Sequence, residues 1–273
     1  MEIFSFFQYA FMWRAVIAGS FIALVCAILG VLLVLRRLSL IGDGLAHVTF
    51  GSVAVGLLFR QHPVYLSIPI VMASSLGIMK LTEKARLFGD AAIGIVSSLG
   101  IAGGIIIASV AGGFNIDIFS FLFGNILAIS RTEVLTSIAL SIVVLLVIFF
   151  FYHEHFSTAF DEEFAKISGI DTGKINAILV LLTGITVVLA MKIVGIMLTS
   201  SLLILPPVTA LQIARSFKNT MVVSALCSII SVITGISASF VLNLPTGATI
   251  VIVNFLLFVT AYTYKSAIQS KYH

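Results

Sequence analysis

The chain has 273 residues, 60% of them hydrophobic and 10% charged, with a mean hydropathy of +1.22 and a formal net charge of +4. That composition excludes a soluble domain, because several uninterrupted apolar runs reach the roughly 20 residues a helix needs to cross a bilayer. The modest positive charge gives no ground for a nucleic-acid partner. The two cysteines, Cys26 and Cys227, lie inside apolar runs without ligand spacing and read as packing residues.

The expected fold is all-α, one polytopic membrane domain over residues 1–273 with eight to nine transmembrane helices. In chain order the expected spans are 15–35, 44–59, 64–79, 91–110 and 134–152, then 175–191, 194–214, 221–242 and 248–264 after a polar break. No small-residue cleavage site follows the first run, so no removable signal peptide is expected. The 44–59 run is short, and the 194–214 run contains Pro206-Pro207, which is expected to prevent a regular helix through its second half. Eight full spans plus one broken segment is therefore as acceptable as nine. On the nine-span count eleven basic residues, Arg36, Lys84 and Lys166 among them, share one side against Arg14, Arg60, Arg131 and Lys192 on the other. The Lys166 side is then cytoplasmic, and residues 117–130 form an external interfacial or re-entrant segment.

Asp43 and His47 stand four residues apart at the start of the second run, about one helical turn, so both side chains share a face. A carboxylate and an imidazole so placed make half of a divalent-metal site. Ionisable groups inside a span are functional by default. The structural alternative is that Asp43 caps the helix while His47 bonds a neighbouring carbonyl.

Other polar positions read more simply. His153 and His155 are two residues apart and face different ways on a helix, so a solvated helix end is favoured over a metal exit site. Asp90 reads as an N-cap, Lys192 as a snorkelling residue, and Asn243 with Pro245 as an external turn. Gly19, Gly30, Gly100, Gly103 and Gly104 are expected to serve close helix packing. His62 and His273 are ordinary loop and tail residues. His-Glu-x-x-His is absent and His47 is the only histidine inside an expected span, which argues against an intramembrane protease or a haem carrier.

The one long polar interruption, residues 153–174, contains an acidic amphipathic segment with Phe160, Phe164 and Ile167 at i, i+4 and i+7. An apolar stripe on a cytosolic helix is built to dock into a groove. Its acidic face argues against lying on the negative inner leaflet.

This segment, about residues 160–170, resembles the coupling helix of ATP-binding-cassette importers, whose pattern is Glu-Ala-Ala, three residues, Gly; here it reads Glu163-Phe164-Ala165 and then Gly169. Phe160-Asp161-Glu162-Glu163-Phe164-Ala165 is similar to the version found in the zinc and manganese uptake class. Three further stretches resemble that class: Arg36-Arg-Leu-Ser-Leu-Ile-Gly-Asp-Gly-Leu-Ala-His47, Leu122-Phe-Gly-Asn-Ile-Leu-Ala-Ile-Ser130, and Val194-Gly-Ile to Leu205-Pro-Pro. The resemblance implies a permease subunit and not an enzyme. It implies Asp43 and His47 as metal contacts, a coupling helix carried by Phe160 to Ala165 and Gly169, a second copy of the chain, a cytosolic ATPase and an extracellular metal-binding protein. No Gly-x-x-x-x-Gly-Lys-[Ser/Thr] phosphate loop occurs in the chain, so ATP is expected on the partner. No permanently bound cofactor is expected, only the transported zinc ion or, alternatively, manganese. The opening Phe11-Met-Trp-Arg-Ala15 and Phe160-Asp-Glu-Glu163 look closer to the zinc permeases of Gram-positive bacteria, and Thr49-Phe50-Gly51 stands where manganese members carry Leu-Pro-Gly. A bacterial cytoplasmic-membrane location follows from the resemblance. A stand-alone channel or secondary transporter is the other reading, but it has no use for an exposed coupling stripe.

Overall fold

The computed structural model describes residues 10–60, 63–84, 88–111, 124 and 129–269, and these contain eleven helices and no strand. They are α1 (Ala10–Leu35), α2 (Ile41–Leu58), α3 (Pro63–Lys84), α4 (Gly89–Val110), α5 (Arg131–Phe150), α6 (Tyr152–Phe160), α7 (Glu162–Ile167), α8 (Thr172–Ile193), α9 (Ile196–Ile213), α10 (Phe217–Leu242) and α11 (Thr246–Gln269). Eight are long and apolar enough to cross a membrane, and α9 adds a shorter apolar stretch, Leu198–Ile213. All nine expected runs fall on helices. Most of the 117–130 segment, Arg86, His62, Lys271 and His273 lie outside the described residues.

Helices α1, α2 and α8 are the most buried, and α3, α4, α5, α10 and α11 turn most of their surface outward. An apolar helix with no polar face belongs in the interior of a bundle, and α1 carries no charged residue between Arg14 near its start and Arg36 just past its end. Cys26 is fully buried within it, as a packing residue should be. α10 runs antiparallel to α1: Ser224 Oγ donates to the Ala27 carbonyl at 3.2 Å and Ser228 Oγ to that of Ala23 at 2.9 Å. Interhelical bonds of this kind are worth about 0.6 kcal/mol each inside a membrane. The turns are closed by local chemistry. Ser130 and Glu133 form a capping box on α5, Asp171 caps α8, and Ser216 caps α10. Asn243 ends α10 in the left-handed region at φ 52°, which marks the expected turn.

Two sequence expectations about helix boundaries need correction. α9 continues through Pro206 and Pro207 to Ile213. Proline at these positions removes the usual donors for the Leu202 and Leu203 carbonyls. Gly30 of α1 sits directly on the Leu203 carbonyl, with Pro207 Cγ 2.7 Å from where a Cβ would be. A bare Cα–H surface covers the freed oxygen, so the bundle tolerates what the helix alone would not. Asp90 is not an N-cap either. Phe88 holds that position without a side-chain bond, and Asp90 sits in the first turn of α4, where its charge still complements the helix dipole.

The coupling segment is two helices, not one. Phe160 ends α6, Asp161 caps α7 by accepting from the Phe164 N–H at 2.9 Å, and Phe164 and Ile167 lie on α7. An extended residue at Asp161, φ −151° and ψ 102°, breaks the periodicity on which the single stripe was drawn. All three apolar side chains are nevertheless exposed. Gly169 ends α7 at φ 87°, with its N–H on the Lys166 carbonyl and the Ile170 N–H on that of Ala165. This is a Schellman closure, in which a residue with a Cβ would be strained by about 1 kcal/mol.

Candidate metal site and coupling surface

Asp43 and His47 occupy the first turns of α2 and meet: His47 Nε2 lies 3.6 Å from Asp43 Oδ2. Side-chain exposures of 53% for Asp43 and 32% for His47 leave both partly open at the surface of the single chain. The N-cap of α2 is Leu40, with no side-chain bond, so Asp43 is not spent on capping. Its other oxygen, Oδ1, accepts from Ser200 Oγ of α9 at 3.1 Å. Ser200 was not singled out from the sequence. The available signal was a polar triplet, Thr199-Ser200-Ser201, inside an apolar run.

Glycines hold α2 in place. α2 and α4 run parallel and touch backbone to backbone: a Cβ on Gly51 would strike the Gly100 carbonyl, and one on Gly100 would lie 2.7 Å from Val48 Cα and 3.1 Å from the His47 carbonyl. Gly104 approaches Gly51 in the same way, at 2.9 Å. Such close approach is what small residues permit in a membrane. Gly103 departs from the expectation, since nothing lies within 4 Å of a Cβ built there.

Chemically, one chain offers one carboxylate and one imidazole. Among the described residues no group of three or more His, Cys, Asp or Glu side chains converges. A divalent ion of the zinc type takes four donors, so a single chain supplies half the set.

At the coupling segment the seven sequence-predicted residues divide by role. Asp161 caps, Gly169 terminates and Ala165 is fully buried, so these three shape the segment. Phe160 and Phe164, at 64% and 63% exposure, and Glu163 are left exposed. Phe160 is backed by Phe156, with ring centroids 4.8 Å apart, and Phe156 rests on Phe217 of α10 at 5.0 Å. Glu162, half-exposed, lies 3.1 Å from Lys166 and 3.5 Å from Arg36. Burial pushes its carboxyl up, but Lys166 and Arg36 outweigh that and hold it below the ordinary carboxylate range.

His155 corrects a further expectation. It is buried at 2% exposure on α6, with Nε2 unpartnered, whereas its neighbour His153 is exposed. The two histidines do face different ways, but only one is solvated. Burial, reinforced by Arg36 and opposed by Glu154, lowers the His155 imidazole from 6.5 to about 4. The folded state therefore holds His155 neutral; its contribution is intact above pH 6.5 and is lost as pH falls toward 4. Acidifying the detergent-solubilised protein from pH 7 to pH 5 should cost about 2 kcal/mol from this group alone, read as a fall in Tm. His155→Gln should flatten that part of the pH dependence.

Against known proteins, a family model described as ABC 3 transport family matches residues 8–265. The manganese transport system membrane protein MntC of Listeria monocytogenes is 31% identical over 257 residues, covering 94% of this chain and 91% of that protein. The high-affinity zinc uptake system membrane protein ZnuB of Haemophilus influenzae is 28% identical, covering 92% and 97%. Among solved structures, PsaBC from Streptococcus pneumoniae in complex with Fab superimposes with a TM-score of 0.86 at 29% identity, over 96% of this chain and 94% of that one.

Proposed function

Because the chain belongs to the ABC 3 transport family, we propose that it is the membrane permease of an ATP-driven divalent-metal importer, with zinc as cargo. The observation that carries this reading is the accessible Asp43–His47 pair on α2. Two copies of the chain facing each other would supply two carboxylates and two imidazoles, the four donors a tetrahedral ion takes. A cytosolic ATPase docks on Phe160, Glu163 and Phe164, and an extracellular binding protein delivers the ion. The assembly sits in the cytoplasmic membrane of a bacterium. ATP binding by the paired ATPases moves the coupling segments and switches the path between inward- and outward-facing states. Relatives named for manganese and for zinc both match this chain. The imidazole in the pair favours zinc, because manganese prefers oxygen donors.

Competitive uptake of radioactive zinc and manganese by cells carrying the intact system tests the reading. Selective zinc uptake supports it; selective manganese uptake keeps the importer and changes the cargo; uptake of neither overturns it. A stand-alone carrier is disfavoured by the exposed Phe160 and Phe164, and co-purification of an ATPase with the chain distinguishes the two.

A further inference from the structure

Arg36 is a charged residue to which the reading above gives no task in transport. Its side chain is 8% exposed, although it directly follows a membrane-crossing helix. The guanidinium donates to Asn176 Oδ1 of α8, and its Nη2 lies 3.5 Å from Glu162 Oε2, at the first residue of α7. His155 of α6 is close enough to feel its charge. One planar fork thus joins the end of α1 to the coupling segment and to the helix that follows it. A fork of this kind fixes direction as well as distance, which an ammonium does not.

What lies on the other side of Arg36 is the metal helix. Arg37 takes the left-handed conformation at φ 58°, and the Leu38 N–H closes onto the Leu33 carbonyl at 2.8 Å. The Ile41 N–H then bonds the Leu38 carbonyl at 3.0 Å, and the Gly44 N–H that of Leu40 at 3.1 Å. From Arg36 to Asp43 the backbone is two short turns on either side of Leu38, the second leading directly into α2, so the two side chains are joined by seven residues of hydrogen-bonded chain.

We infer that Arg36 is a positioning residue that carries movement of the coupling segment, through the α1–α2 turn, to Asp43. This rests on the permease reading, in which α7 meets the ATPase. A displacement of Glu162 and Asn176 pulls the guanidinium, and the turn delivers the pull to the carboxylate. Without the fork, α7 moves and α2 does not follow.

The test uses the complete transporter, permease with its ATPase and binding protein, in proteoliposomes, scoring ATP hydrolysis and zinc uptake together. Arg36→Lys keeps the charge and loses the fork; Asn176→Ala removes one acceptor and leaves Arg36 in place. In Arg36→Lys, zinc moved per ATP is expected to fall about tenfold while hydrolysis stays within about twofold of the parent. Asn176→Ala is expected to fall in the same direction by a smaller factor. Unchanged zinc per ATP in both variants overturns the inference. So does a proportional loss of hydrolysis and uptake, or loss of folded protein in both, since the fork would then be structural. If the parent transporter itself moves no metal, the permease reading fails instead.

Discussion

Metal uptake through Asp43→Asn is expected to fall by at least about a hundredfold, with the variant still present in the membrane at parental levels. The asparagine keeps the size and the hydrogen bond from Ser200 but removes the negative charge, and each chain has only one carboxylate at this place. His47→Ala removes the sole imidazole of the pair and is expected to lose uptake to a similar degree. Ser200→Ala leaves both donors and only frees the Asp43 carboxylate held by the 3.1 Å bond from α9. If Asp43 holds the ion as proposed, the loss should be smaller, about tenfold, the effect expected of a group that orients a ligand. Uptake of radioactive metal, normalised to immunoblotted protein, separates the three. Wild-type uptake in Asp43→Asn would make the pair structural and send the search for the path elsewhere.

Stability should respond most to a single added methyl at Gly30. A Cβ there collides with the Leu203 carbonyl and crowds Pro207, both backbone-anchored and unable to step aside. α1 and α9 must separate, which exposes the oxygen that proline has already deprived of its donor. Gly30→Ala is expected to lose about 3 kcal/mol, the upper range for overpacking, or to fail to accumulate. Gly103→Ala is the matched control: the same methyl meets nothing within 4 Å and should change stability by no more than about 0.5 kcal/mol. Tm in detergent and monodisperse yield by size exclusion read both.

Much of this architecture could be read from residue order, because length and apolarity alone decide where a helix can cross a bilayer. The Asp43–His47 meeting was legible for the same reason: four residues on a helix is a local fact. Non-local contacts were not. Ser200 reaches Asp43 across 157 residues, and nothing in α9 by itself says which helix it faces. Pro206-Pro207 was misread because the local rule is right for an isolated helix, while Gly30, far upstream, supplies the compensation. The coupling segment was half legible. Its exposed phenylalanines showed in the spacing, but Asp161 as a cap between two helices did not, since aspartate suits a helical face and a cap alike. His155 looked solvated because it adjoins polar neighbours; its burial comes from the elements packed over α6.

The proline pair has a mechanical side. A helix resists bending because each turn is tied to the next by hydrogen bonds that would have to stretch. In α9 the ties expected at Leu202 and Leu203 have no donors. Flexing at that level therefore stretches nothing there, and the restoring force comes from the helices packed on α9, chiefly α1, α2, α10 and α11. The segment from Ile196 to Leu205, with Ser200 on it, is a stiff lever on a compliant joint, and the close approach of Gly30 at Leu203 is one of the contacts that sets how far that joint gives.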